Sequence, residues 1–157
     1  MTCVLAALLC ACEATYPAST LTTSLTKLVK TEANLDILAQ VTGKTLWIYF
    51  PSENLIDEKN LGWNAAGLEE ASKILSITHR ILLSSDAKID FISAVAADVK
   101  NYGVELQTIE YVPDVKEAVL ERFSRGEFFM RSVRDITMDP KRINDRSGES
   151  KRFYDIT

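Results

Sequence analysis

Every cysteine of this 157-residue chain, Cys3, Cys10 and Cys12, falls within the first twelve positions. The rest of the chain has neither a disulfide framework nor a thiolate metal site, so it must hold itself together by burying apolar surface. With 46% hydrophobic and 25% charged residues the composition allows that, and the length fits one domain with a modest core. An exported domain needs no disulfide, so the missing cysteines are compatible with either side of a membrane.

Periodicity gives the elements. Leu21, Leu25, Leu28, Leu35 and Leu38 recur at roughly helical spacing, which predicts an amphipathic helix over residues 19–41 ended by Gly43. Thr45-Leu46-Trp47-Ile48-Tyr49-Phe50, set between Gly43 and Pro51, is β-branched and aromatic and too short for a stable helix. It predicts a central strand buried on both faces. Residues 52–64 are polar and irregular, and residues 67–84 return to helical period through Leu68, Ala71, Ile74, Leu75, Ile81 and Leu82. Residues 89–99 and 104–112 flank Asn101-Tyr102-Gly103, which predicts a hairpin.

Pro113-Asp114 opens a third helix, with Asp114 and Glu117 at the spacing of a capping box. Ser124 and Glu127 repeat that spacing, and Phe128, Phe129, Val133 and Ile136 predict a further short helix or a bent continuation. The fold class is α+β: a small three- or four-stranded sheet with a hairpin, helices packed on it, and an N-terminal helix before it.

The net charge of −4 is unevenly spread. Up to Val112 there are 8 basic and 13 acidic residues, and from Pro113 onward 10 basic and 9 acidic. An acidic body argues against a general nucleic-acid binder, and the later basic residues are interleaved with acids that can pair with them.

No cofactor motif emerges. Gly43-Lys44-Thr45 resembles the end of a phosphate-binding loop, but Leu38 stands where its first glycine belongs and a strand comes next instead of a helix. His79, the sole histidine, sits in a helix beside Ile77 and Ile81 and is read as a structural or surface residue. Glu53, Asp57, Glu58, Glu69, Glu70, Asp86 and Asp90 offer carboxylates, but nothing in their spacing brings a catalytic pair together, and a metal is not expected. The aromatic side chains with the best case for a partner surface are Trp63, in its polar loop, and Phe128 and Phe129 with the neighbouring Arg131.

Residues 4–11 form an uncharged apolar run that closes on Leu9-Cys10-Ala11-Cys12. An aliphatic residue three positions before a cysteine and a small residue directly before it resemble a bacterial lipobox. That resemblance covers residues 4–12 and implies a lipid on Cys12, attachment to the membrane, and a place in the bacterial cell envelope on the periplasmic side of the inner or outer membrane. No Lys or Arg precedes the run, which implies a start upstream of Met1. The corresponding division is a signal-like segment at 1–11, a tether at 12–18, one α+β domain at 19–136 and a polar tail at 137–157, whose Phe153-Tyr154-Asp155-Ile156 is suited to dock as a short strand. The function expected is non-catalytic binding or scaffolding with an envelope protein partner. The alternatives are an envelope hydrolase using loop carboxylates and a cytosolic regulatory domain with a buried N-terminus.

Overall fold

The computed structural model describes residues 14–53, 55–57, 62–100 and 103–138. Cys12 and the signal-like segment, Asn54, Glu58, Asn101, Tyr102 and the tail from residue 139 lie outside the described residues. Among the described residues the architecture is α+β, with four α-helices, a five-stranded mixed sheet and a separate two-stranded one.

A short 3-10 turn leads into α1 (Leu21–Ala33), followed by β1 (Leu38–Thr42) and β2 (Thr45–Ser52). The small hairpin β3 (Ile56–Asp57) and β4 (Gly62–Trp63) precedes α2 (Ala65–Leu83). Then come β5 (Phe91–Asp98), β6 (Val104–Tyr111), α3 (Val112–Val119), α4 (Arg125–Arg131) and β7 (Val133–Met138). The large sheet runs β1-β2-β5-β6-β7; β2 and β5 are parallel, joined across α2, and every other neighbour is antiparallel. The expected hairpin is the β5–β6 pair.

The helix expected over 19–41 is two elements. Asn34 adopts a left-handed conformation (φ 56°) and ends α1, and Leu38 then begins a strand that pairs back on β2. Leu35 and Leu38 fit a helical period by coincidence: Leu35 packs on the core, whereas Leu38 is exposed on a sheet strand. Gly43 closes a hairpin instead of a helix. Positive φ is confined to it (φ 59°) in the two-residue link with Lys44, the pattern of a type II′ turn.

Further along, the stretch expected as one helix through Ile136 breaks at Ser132, and Val133 and Ile136 belong to β7, which runs past the expected domain limit to Met138. The Asp114–Glu117 box does not form: α3 already starts at Val112, its cap residue Tyr111 has no side-chain bond, and Glu117 pairs with Arg122. The Ser124–Glu127 box does form, with both reciprocal bonds present. Part of the stretch expected as a tether is fastened to the body, since Tyr16 donates its backbone N–H to the Ser84 carbonyl and Ala18 donates to Asp86.

One face of the sheet carries the core. Leu46, Ile48 and Phe50 of β2 and Ile92, Ala94 and Ala96 of β5 meet Leu21, Leu25 and Val29 of α1 and Ile74, Ile77 and Ile81 of α2. Val115 of α3 and Phe128 of α4 join the same cluster, so all four helices lie on that face. Tyr49, Val95 and Ala97 form a separate small cluster on the other face, to which no helix of the described residues contributes. Trp47 is half-buried there and Phe91 and Tyr111 stack at 5.2 Å between ring centroids. Pro51 is tolerated because β1 pairs β2 only as far as Tyr49, leaving β2 with one neighbour at that point.

These positions separate the two readings of residues 34–42. Leu25→Ala, in the α1–α2 seam, is expected to cost about 3 kcal/mol, and Leu38→Thr, on the open face, to change stability by less than about 0.5 kcal/mol, both by urea denaturation. A large loss at Leu38 would restore it to the core and sink the strand assignment.

Candidate functional site

The helices cover the sheet unevenly. α1 lies over β1 and packs on α2, while β6 and β7 extend beyond α2 as bare floor. The result is a groove of about 920 Å³, within the range of small-ligand sites. Leu68, Ala71, Leu75 and Leu83 of α2 form one wall, and Leu106 and Thr108 of β6 with Ile136 of β7 form the floor. Trp63 stands at the N-terminal end of α2, and Val119, Phe128 and Phe129 close the other end.

Three of the four aromatic and basic residues named from sequence therefore meet here. Trp63, Phe128 and Phe129 line one groove although Trp63 is more than sixty positions from the other two. Arg131 does not join them: its guanidinium lies 4.2 Å from the Phe123 ring centroid and 3.5 Å from Asp114, pinning α4 to α3. Cys12 lies outside the described residues.

His79 and Glu110 are the polar centre of the groove. The histidine Nε2 lies 2.6 Å from a Glu110 carboxylate oxygen; the Glu110 side chain is 3% exposed and that of His79 18%. Phe128 approaches the imidazole edge-on, at 6.2 Å between centroids. Spacing along the chain does not point to this partner of His79. Glu110 shares its side of β6 with Leu106 and Thr108, a carboxylate on an inward-facing position, and that alternation is the one available signal. Among the described residues the bond recorded for the His79 ring is the one to Glu110.

The charged lining residues sit toward one end. His79 and Arg80 are near the C-terminus of α2, and Glu110 and Arg134 are beyond Leu106 and Ile136 along their strands. Arg80 is occupied by Glu32 at 2.6 Å, a contact whose hydrogen bond and charge raise the Arg80 pKa. Arg134 is placed differently. Its guanidinium lies 3.7 Å from the Phe129 ring centroid and donates to the Phe129 carbonyl at 2.9 Å, and among the described residues no carboxylate pairs with it.

α4 carries two groove residues, and its start is held by the capping box. The Ser124 backbone N–H, and then its hydroxyl, lower the Glu127 carboxyl below its ordinary value. A lowered folded pKa means that this support is present above the unfolded value and is lost as the pH falls through the folded one.

Four of the carboxylates considered for catalysis serve the frame. Glu70 accepts from Ser52, Glu69 pairs with Lys73, Asp90 with Lys44, and Asp86 accepts from Ala18. Buried Asp98 accepts from the backbone of Ile56 and Lys100, tying the β3–β4 hairpin to the end of β5. Among the described residues no three His, Cys, Asp or Glu side chains are grouped to hold a metal, and no helix is long and apolar enough to cross a membrane. Comparison with protein-family models, curated proteins and solved structures found no match to the chain.

His79→Leu strands a buried carboxylate and is expected to lower stability by about 3 kcal/mol in urea denaturation. The double variant His79→Leu/Glu110→Leu, which removes both polar groups, should recover most of that loss. Strictly additive losses would show that the two side chains are not coupled.

Proposed function

We propose that this protein is a non-catalytic binding domain held at the bacterial envelope by a lipid on Cys12, and that the groove between α2 and the β6–β7 floor is its binding element. The observation that carries the reading is the groove. It is a concave, largely apolar space with a few polar groups gathered at one end, which is the usual make-up of a ligand site. His79 and Glu110 are bonded to each other, and of the carboxylates named from sequence Glu70 accepts from Ser52, Asp86 from Ala18, and Glu69 and Asp90 pair with lysines, all outside the groove lining. That distribution favours binding over the hydrolase alternative.

The anchor rests on Leu9-Cys10-Ala11-Cys12. It fits the frame around the groove, because Tyr16, four positions after Cys12, bonds to Ser84, itself a lining residue. Four residues of chain reach at most about 14 Å, so a lipid on Cys12 would hold the charged end of the groove close to the membrane surface.

Two measurements test the two halves. Intact mass of full-length protein from a bacterial membrane fraction should show a chain beginning at Cys12 with added lipid, absent from Cys12→Ala; an unprocessed soluble chain would remove the anchor. The neutral apolar fluorophore 1-aminoanthracene should bind wild type and be excluded by Ser72→Trp, which places an indole in the groove from an exposed position on α2. Equal binding to both proteins would place the binding element elsewhere.

A further inference from the structure

We infer that the groove takes a single-chain amphiphile with a carboxylate head, a fatty carboxylate, seated with its head on Arg134 and its chain running toward Trp63. The inference rests on the binding reading proposed for the groove and specifies its ligand. The groove is polarised along its length. Leu68, Ala71, Leu106 and Ile136 leave its Trp63 end without charge, whereas Arg134 marks the other end together with the mutually satisfied His79–Glu110 pair. From Leu68 to Leu83 the wall is fifteen helical rises long, about 22 Å, which suits an extended acyl chain better than a compact ring system.

Arg134 supplies the charge complementarity. Arg80 is held by Glu32, and Glu110 is held by His79, which leaves Arg134 as a lining cation with no carboxylate partner among the described residues. Stacking on Phe129 and the bond to its carbonyl fix the guanidinium plane while leaving most of its donors unused. A planar fork of donors matches a carboxylate in two parallel hydrogen bonds. One cation balances one carboxylate charge, whereas a phosphate monoester would bring nearly two charges to a wall that also holds Glu110. If Cys12 is lipidated, the Arg134 end also lies toward the bilayer surface, from which such amphiphiles would come.

Full-length wild type, Arg134→Gln, Arg134→Lys and Ser72→Trp are titrated with dodecanoate and with uncharged dodecanol, each displacing 1-aminoanthracene. Dodecanoate should bind wild type, weaken about tenfold in Arg134→Gln with the loss of a charge-assisted bond, and weaken less in Arg134→Lys. Dodecanol should bind wild type and Arg134→Gln alike, which also shows that the variant is folded, and Ser72→Trp should exclude both. Dodecanoate affinity that does not respond to Arg134→Gln overturns the head assignment. Fluorophore binding that neither amphiphile displaces overturns the ligand class but leaves the groove as a binding element. Failure of wild type to bind the fluorophore removes the groove reading itself.

Discussion

The packing of two helices on one face of a wider sheet governs this molecule. Ile74, Ile77 and Ile81 of α2 meet Ile48 and Ile92 at the centre, and α1 seals the β1 side with Leu21, Leu25 and Val29. Full burial of each such side chain contributes about 1.5–3 kcal/mol, and with no cysteine after Cys12 to supply a disulfide that burial must offset the entropy of ordering the chain. Strands repeat every 4.8 Å or so, and with the two helices seated on the β1, β2 and β5 side the remaining β6 and β7 make a strip about 10 Å wide. α4 closes one end of that strip and not its length. The groove is the geometric remainder of the core.

That origin explains the character of its lining. Leu106 and Ile136 face the helix side like the core residues of β5, yet no helix sits directly above them, so they become an apolar floor. Glu110 occupies the same side of β6, and burial of its carboxylate is tolerable because His79 reaches it from α2. The pair therefore ties the edge half of the sheet to the central helix at a point where apolar packing is thin.

Much of the frame is legible in the residues. The β2 run, the α2 stripe, the β5–β6 hairpin and the Ser124–Glu127 cap each carry a local signal that tertiary structure reinforces. The misread places are those where two periods coincide. Leu35 and Leu38 continue the leucine spacing of α1, and only the left-handed Asn34 shows that the chain has turned. Val133 and Ile136 are three apart, which suits a helix, but in a strand they fall on opposite faces, Ile136 with Arg134 on the groove side, and the partner strand β6 lies more than twenty residues back. Spacing within a short window cannot weigh a long-range pairing that supplies six register partners at once. The site shows the same division. Trp63, Phe128 and Phe129 stand out by chemistry, whereas Glu110 becomes informative only when its side of β6 is known.

Arg131 and Arg134 show why a residue's type and exposure do not decide its role. Both lie over a phenylalanine ring near α4, and both are exposed. Arg131 has Asp114 within 3.5 Å and fastens one helix to the next, so its charge is already answered within the protein. Arg134, three residues on and across the turn into β7, is held by its ring and by a carbonyl that carries no full charge. A guanidinium kept in one orientation without a counter-ion loses side-chain entropy and gains little Coulomb energy from its neighbours. An anionic ligand in the groove would supply the missing counter-charge to a donor fork that the fold has already oriented, so less ordering entropy would oppose binding.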